Sequence, residues 1–414
     1  MITIIHFSDL HFGSGERYGS INPESGLNKR FEDFISALDT AVNFAVENNA
    51  DLVIFTGDTY KHATPEPVYQ REFAKRIKKL SLSSIPTLLV VGNHDILYKA
   101  HSSDALDIYS TLEIEHVTVF NKIDLKNIQT KNGIVQVIGL PHITKGRLLT
   151  KEENRSLSPK EQDELMINKI KEAIKGFVEK LNPDFPSIII GHGTIETAKF
   201  GSEQELSIGK VLSYPLSFFQ FDSIDYVGFG HIHRHQVLQK EKPLILYAGS
   251  LERVDFGEEN EDKGFVYLKL QKGKVSYEFK SINPRPFITI SCDLTESIDP
   301  QTEFLTQIKK EKKLCICNGK DAIIRVRYKI QEENLSRINP DEIRSLLSDS
   351  FTCLIQADLV RKERTARFEG NETALLTNPA LALDKYLFDY NEKEKSELIN
   401  LAKGLIENVI NESR

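Results

Sequence analysis

Acidic, amide and imidazole side chains recur directly after five short apolar runs of this sequence. These polar residues are Asp9 and His11, then Asp58, then Asn93, His94 and Asp95, then His192, and finally His231 and His233. Such residues have poor strand propensity and are costly to bury without partners. One cluster alone is typical of a polar turn that ends a strand. Five clusters in the same position indicate a shared binding or catalytic site.

The types of donor predict what is bound there. Two aspartates, one asparagine and four histidines of these clusters exceed what one ion takes from a protein. They suit two ions that share a bridging carboxylate. Mixed nitrogen and oxygen donors without thiolate favour Mn²⁺, Fe or Zn²⁺ over Ca²⁺ and Mg²⁺. Paired ions of this kind are the usual device for phosphoester hydrolysis, where they activate water and stabilise the attacking and leaving oxygens.

An alternating α/β fold would bring these clusters together. Apolar runs rich in valine and isoleucine predict buried strands at 2–7, 51–55, 87–91, 134–140, 187–191, 225–230, 244–249 and 265–270. Apolar residues spaced by three and four predict helices through 31–45, 67–80 and 159–181. In such sheets the ligand site lies outside the carboxyl ends of the strands, where the clusters occur. Between about 224 and 280, closely spaced strands predict an antiparallel stretch that completes the sheets.

The chain divides into three predicted domains, at 1–280, 285–365 and 375–414. The second is a small α/β unit with strands at 288–294, 322–330 and 351–360 and helices at 302–310 and 340–347. In the third, apolar residues from Leu398 to Ile410 step by three and one, which predicts an amphipathic helix. This helix docks on its own chain or binds a groove or coiled coil of another protein.

Composition narrows the class of protein. The net charge of −7 argues against a strongly basic nucleic-acid binder, although local basic runs occur at 309–313 and 361–367. These runs are solvated faces or patches for a duplex backbone. The N-terminus lacks the features of a signal peptide and no run is long enough to span a membrane, so we expect a cytoplasmic protein. The four cysteines, Cys292, Cys315, Cys317 and Cys353, form no CxxC pair and are expected to be free.

The motifs DLH, GD, GNHD, GH and GHIH, in this order, resemble those of the calcineurin-like metallophosphoesterase superfamily. The resemblance implies that one ion is held by Asp9, His11 and His233, and a second by Asn93, His192 and His231. It implies that Asp58 bridges the two ions. It also implies that His94 faces the scissile phosphate as transition-state stabiliser or general acid, oriented by Asp95.

Three longer segments narrow the resemblance, at 4–13 (IIHFSDLHFG), 31–58 and 247–265. They are similar to the nuclease subunits of bacterial SbcC–SbcD complexes and their meiotic-recombination-eleven counterparts. This resemblance implies a two-sheet sandwich flanked by helices, a DNA-capping domain at 285–365 and a helical tail that grips a coiled-coil partner. It implies Mn²⁺-dependent exonuclease and endonuclease activity on DNA ends or hairpins, a homodimer, and an SbcC-type ABC ATPase as partner.

The sequence departs from archaeal relatives after the second motif. Those relatives place a DNA-positioning histidine soon after the bridging aspartate, whereas this chain has both Lys61 and His62 there.

Two other functions share the same motifs. One is a small-molecule phosphodiesterase or nucleotidase, which would not need the extra domain and tail. The other is a non-catalytic scaffold, which would be expected to lose ligands, and all seven are present here.

Overall fold

The computed structural model describes residues 1–97, 103–201, 212–314 and 320–361, and residues 383, 386, 387, 391, 395, 396 and 398–405 of the tail. Its strands, in chain order, are β1 (Ile2–Phe7), β2 (Leu52–Phe55), β3 (Thr87–Val90), β4 (Val117–Phe120), β5 (Asp124–Thr130), β6 (Gly133–Leu140), β7 (Ser187–His192), β8 (Thr194–Ile195), β9 (Ser213–Tyr214), β10 (Tyr226–Gly230), β11 (Gln236–Gln239), β12 (Leu244–Tyr247), β13 (Gly264–Gln271), β14 (Lys274–Ser281), β15 (Phe287–Asp293), β16 (Ile323–Gln331) and β17 (Thr352–Val360).

The helices of the described residues are α1 (Lys29–Glu47), α2 (Pro67–Leu82), α3 (Asp107–Thr111), α4 (Lys145–Leu148), α5 (Lys151–Ser156), α6 (Pro159–Val178), α7 (Pro300–Leu314) and α8 (Pro340–Leu346). Helix α1 begins where the Asn28 side chain accepts the amide hydrogen of Arg30. Helix α6 begins with a capping box between Ser158 and Glu161. Such caps satisfy amides that the first turn leaves without a helical partner.

Two six-stranded sheets form the larger part of the chain. Their strand orders are β14-β13-β1-β2-β3-β4 and β11-β12-β10-β7-β6-β5. Strands β1 to β4 are parallel to one another, as are β6, β7, β10 and β12. The antiparallel stretch predicted for 224–280 is correct for β11 with β12 and for β13 with β14, but wrong for β10, which is parallel to both of its neighbours. The chain runs from β10 to the edge strand β11, and β12 then returns between them, so β12 is antiparallel to β11 and parallel to β10.

Alternating residues of each strand supply three apolar layers. The layer between the sheets contains Ile4 of β1 and Ile190 of β7, for example. The outer face of the first sheet packs on α1 and α2, with Phe34 fully buried. The outer face of the second sheet packs on α6 through Ile170. The fold is therefore a two-sheet α/β sandwich flanked by helices, which confirms the predicted fold class.

Strands β15, β16 and β17 form a third sheet, with α7 and α8 in the connections between them. The chain separates into two compact units, one of Met1–Cys292, Gln301–Tyr328 and Asn339–Gln356, the other of Asp293–Pro300, Lys329–Ile338 and Ala357–Arg414. The predicted three-domain division stays a prediction.

Three further expectations concern the thiols, the membrane and the tail. Cys292 and Cys353 are free, while Cys315 and Cys317 lie outside the described residues. Across the described ranges, no helix is long and apolar enough to cross a membrane. The predicted amphipathic tail lies partly outside the described residues, but 398–405 is helical.

Candidate metal centre

The candidate ligands lie where neighbouring strands of the two sheets end. Because β1, β2 and β3 are parallel, the residues that follow them emerge at one edge of the first sheet. In the second sheet, β7 ends at His192, which pairs in register with Gly230 at the end of β10. His231 and His233 follow at once. The structure therefore brings together the polar clusters of all five strand ends.

Four of the candidate ligands have a left-handed backbone conformation. The φ angle is 51° at Asp9, 48° at His11, 56° at Asp58 and 100° at His231. For a residue with a Cβ atom this conformation costs about 1–2 kcal/mol. Such strain persists only where the surroundings hold it, and it concentrates at functional sites. The chain thus leaves strand geometry at the residues whose side chains meet.

Hydrogen bonds hold the loop after β1 against the loop after β2. The Asp9 amide donates to the Gly57 carbonyl at 3.1 Å, and the His11 amide donates to the Asp58 carbonyl at 3.0 Å. Across the sandwich, the His231 amide donates to the Asp9 carboxylate at 2.9 Å. These bonds satisfy buried backbone groups and fix the direction of the side chains.

Asp95 connects two of these loops through its side chain, which differs from the expectation that it orients His94. Its buried carboxylate accepts amide hydrogens from Gly92, Asp58 and Thr59, each at 3.0 Å. The carboxylate therefore ties the loop after β3 to the loop after β2. The aspartate of the GNHD motif thus fixes the backbone of the two loops.

One group of donors consists of Asp9, His11 and His233. One ligand atom from each lies within 4.8 Å of the others. The Nε2 atoms of His11 and His233 are 2.9 Å apart, so the two rings aim at the same point. The other ring nitrogen of His233, Nδ1, lies 2.7 Å from a carboxylate oxygen of Glu258. A proton on Nδ1 places the ring's lone pair on Nε2, which is the form that binds a metal ion.

A second group consists of Asp58, His192 and His231, again within 4.8 Å of one another. The Asn93 side-chain oxygen joins them, at 2.9 Å from Nε2 of His192 and 3.0 Å from Nδ1 of His231. Nδ1 of His192 donates to the Thr56 carbonyl at 2.7 Å, so Nε2 is the ring nitrogen that faces the group.

Asp58 lies between the two groups, and with His11 and His94 it forms a third set of donors within 4.8 Å of one another. Its Oδ2 atom lies 3.3 Å from Nε2 of His192 and 3.6 Å from Nε2 of His11. A carboxylate between two sets of nitrogen and oxygen donors fits a bridge between two ions. The donor set, the lone pairs aimed inward and the central carboxylate fit a pair of divalent cations.

Burial and charge act in opposite directions within the centre. Burial raises the pKa of Asp9 to about 6 and lowers the pKa of His231 to about 3. Burial also acts to raise the pKa of Asp58, but the surrounding histidines, His192 first, hold it well below its usual value. The Asp58 carboxylate in turn outweighs burial and raises the pKa of His192 to about 9. Asp58 and His192 therefore favour each other's charged forms, and an ion bound at Nε2 would displace the His192 proton.

His94 lies at the edge of the centre and is half-buried. Its amide donates to Asp58 Oδ1 at 2.8 Å, and its ring contacts His11 edge-on with centroids 5.0 Å apart. Its Nδ1 lies 3.0 Å from the backbone carbonyl of Lys61. The side chains of Lys61 and His62 are both exposed, so backbone rather than side chain at position 61 orients His94.

Two residues near the centre were not predicted from the sequence. His142 follows β6, and its amide donates to the Val91 carbonyl at 2.9 Å. Burial, together with the charge of His192, lowers the pKa of His142 to about 4. It follows an apolar run just as the predicted ligands do, so the same rule could have found it. Glu258 follows no strand of the sheets, and no pattern in the sequence marks it.

Comparisons with known proteins place the chain in a family. Residues 2–235 match the sequence profile described as calcineurin-like phosphoesterase. A solved structure of the protein TT1561 from Thermus thermophilus is 16% identical and covers 67% of this chain and 98% of its own, with a TM-score of 0.37. A dimetal phosphatase from Danio rerio is 11% identical and covers 68% of this chain and 96% of its own, with a TM-score of 0.41. Since the profile takes in more than half of the 414 residues, the chain belongs to the calcineurin-like phosphoesterase family, whose members are metal-dependent hydrolases of phosphoesters.

Proposed function

We propose that this protein is a dimetal nuclease that hydrolyses DNA phosphodiesters at ends or hairpins, in double-strand-break repair. The observation that carries the proposal is the complete set of donors at the strand ends with His94 beside them. The segments at 4–13, 31–58 and 247–265 support the nuclease branch, because they resemble SbcD-type subunits over more than the metal motifs.

Two divalent ions, with Mn²⁺ as the proposed metal, would be held by the two groups of donors. Asp9, His11 and His233 take one ion. Asn93, His192 and His231 take the other. Asp58 serves both, in keeping with its distances to His11 and His192. When bound, the ions supply an activated water and positive charge for the phosphate oxygens.

His94 has the geometry of a proton donor to the leaving group. The Lys61 carbonyl accepts hydrogen from Nδ1, so the ring keeps that proton and exchanges its other proton at Nε2. As a water that has lost a proton to solvent attacks phosphorus and the bond to the leaving oxygen breaks, that oxygen takes the Nε2 proton of the imidazolium, and the neutral ring regains a proton from solvent. Proton transfer of this kind contributes about 10²–10⁴-fold in rate.

Other parts of the chain favour DNA as the substrate and a protein as the partner. The third sheet and helices α7 and α8 are elements that a small-molecule hydrolase does not need. In the tail, Leu398, Leu401 and Leu405 are 43%, 69% and 60% exposed on one helical segment, which suits the coiled coil of an SbcC-type ABC ATPase. We propose a cytoplasmic homodimer in complex with that ATPase. The basic run at 309–313 gives weaker support, because Lys312 is bound to Asp349 at 2.6 Å.

The test is Mn²⁺-dependent digestion of end-labelled duplex and single-stranded DNA, with the ATPase partner present and absent. Wild type is compared with His94→Ser, and bis-p-nitrophenyl phosphate is hydrolysed in parallel. Metal content is measured for both proteins. We expect DNA digestion by the wild type, and a loss of at least about 100-fold in His94→Ser with its metal content unchanged.

Two results would contradict the proposal in different ways. If the small ester is cleaved but DNA is untouched even with the partner, the nuclease assignment fails and a small-molecule phosphodiesterase is the better account. If His94→Ser digests DNA at the wild-type rate, the proton donor is another group. A His62→Ala variant tests separately whether the exposed histidine of the same loop contributes to DNA digestion.

A further inference from the structure

Glu258 contacts the candidate ligand His233 from the side away from the metal centre. Its Oε1 atom lies 2.7 Å from Nδ1 of His233, and the residue is completely buried. Its Oε2 atom accepts the amide hydrogen of Val254 at 3.1 Å. One carboxylate oxygen therefore binds the His233 ring, and the other binds a backbone amide.

Lys263 completes this arrangement and is also completely buried. Its ammonium lies 2.7 Å from Oε2 of Glu258 and 2.9 Å from Glu261. It also donates to the backbone carbonyl of His233 at 3.1 Å. Burying an acid and a base together costs several kcal/mol per ion before their attraction is counted. Apolar residues would fill this part of the core at lower cost. The position of Glu258 and Lys263 beside His233 therefore indicates a role at that ligand.

The two metal groups differ in how their histidines are held. Nδ1 of His192 donates to a neutral backbone carbonyl, that of Thr56, at 2.7 Å. Nδ1 of His233 donates to the Glu258 carboxylate at 2.7 Å, and the ammonium of Lys263 lies 2.7 Å from the other oxygen of that carboxylate. A carboxylate that accepts the Nδ1 proton raises the basicity of Nε2 as a metal ligand, and it does so more than a neutral carbonyl.

We infer that Glu258 is a positioning residue for His233, and that its charge, supported by Lys263, sets the affinity of the ion at Asp9, His11 and His233 without acting on the other ion. This inference rests on the proposed function, since it takes His233 as a ligand. Glu258 fixes the proton on Nδ1 and the direction of the ring. The carboxylate also strengthens Nε2 as a donor.

The experiment measures Mn²⁺ binding to the full chain by equilibrium dialysis and by electron paramagnetic resonance. Two Mn²⁺ ions that share a bridging carboxylate are magnetically coupled, whereas a single ion gives an uncoupled six-line spectrum. The variants are Glu258→Gln, which keeps an oxygen for Nδ1 but removes the charge, and the double variant E258Q/K263M, which removes both buried charges. In both we expect one ion to bind about 10–100-fold more weakly, with the six-line spectrum at intermediate Mn²⁺ concentrations.

The matched control is Glu252→Gln. Glu252 is nearly as buried as Glu258 and lies near it in sequence, but its carboxylate pairs with Arg30 at 3.1 Å. This variant should lower the melting temperature and leave both Mn²⁺ affinities at the wild-type values. A purely structural role for Glu258 would give the same pattern in both glutamine variants.

His233→Ala separates the inference from the proposed function. If His233→Ala still binds two ions as the wild type does, the ligand assignment itself is wrong. If His233→Ala loses one ion while Glu258→Gln and the double variant bind both with wild-type affinity, the positioning role is overturned and the proposed function stands. Should the double variant fail to fold, Glu258→Gln carries the test, because Lys263 keeps Glu261 as its partner there.

Discussion

Gly92 has no space for a side chain, and Gly92→Ala is therefore the sharpest test of the metal centre. A Cβ atom at this position would lie 2.9 Å from Cγ of Asp58 and would clash directly with its Oδ1 and amide nitrogen. The residue has no positive φ angle, so alanine fits the backbone and the whole effect is steric. The atom that must move belongs to the carboxylate shared by both groups of donors.

The size of the effect follows from these contacts. Carbon atoms in contact stay about 3.5–4.0 Å apart, so Asp58 must shift by about 1 Å. Forcing a methyl group into packed surroundings costs about 1–3 kcal/mol. The shift also disturbs the 3.0 Å hydrogen bond from the Asp58 amide to Asp95, worth about 1 kcal/mol. We expect the free energy of unfolding to fall by about 2–4 kcal/mol, and hydrolysis of a phosphodiester to slow by about 100-fold, since a misplacement of about 1 Å has that effect.

Urea unfolding with chelator present measures the first quantity, and Mn²⁺-dependent hydrolysis of bis-p-nitrophenyl phosphate measures the second. Gly176→Ala is the control, because Gly176 lies inside α6 with no atom within 4 Å of an added Cβ. That variant should gain about 0.5–1 kcal/mol of stability with unchanged activity. A Gly92→Ala protein with wild-type stability and activity would refute the steric argument and the central place of Asp58.

Three further outcomes are expected. Removing the hydroxyl of the capping box in Ser158→Ala should cost about 1 kcal/mol in urea unfolding without changing Mn²⁺ binding; an equal loss in metal affinity would contradict this. Adding Mn²⁺ at about 100 times its dissociation constant to chelated protein should raise the free energy of unfolding by about 2.7 kcal/mol for each ion bound, and no rise in melting temperature would count against a preformed site. Burial acts to raise the pKa of Glu72, but hydrogen bonds from Lys75, Arg76 and Arg71 lower it to about 2. The stability that ionised Glu72 adds over Glu72→Gln is therefore present above the ordinary carboxyl pKa and should fade as the pH falls towards about 2. A stability difference that stays constant with pH would contradict that.

The secondary structure could be predicted closely because its signals are local. Helical spacing predicted 31–45, and the structure has α1 at Lys29–Glu47, with the predicted apolar residues buried except Ile35, which is half-buried. The run predicted at 2–7 is β1 over the same residues. Periodicity reports which face of an element is buried, and this depends only on near neighbours in the chain.

Contacts between distant segments could not be predicted in this way. Asp95 was expected to orient its neighbour His94, but it binds amides of the loop after β2, 36 and 37 positions away. The pairing of β10 with β12 was likewise missed, because it depends on where β11 turns back. A hydrogen bond over such a separation leaves no periodic trace in the sequence.

The sequence by itself determined the order, types and number of the donors, since each stands at the end of an apolar run that must become a strand. Only the tertiary structure decided which donors share a group. Asp58 lies between His11 and His192 because two sheets bring their strand ends to one edge. The proton on His233 depends on Glu258, which a separate loop carries to the far side of the ring. Lone pairs and carboxylates act over a few ångströms, and those distances exist only after the sheets have packed.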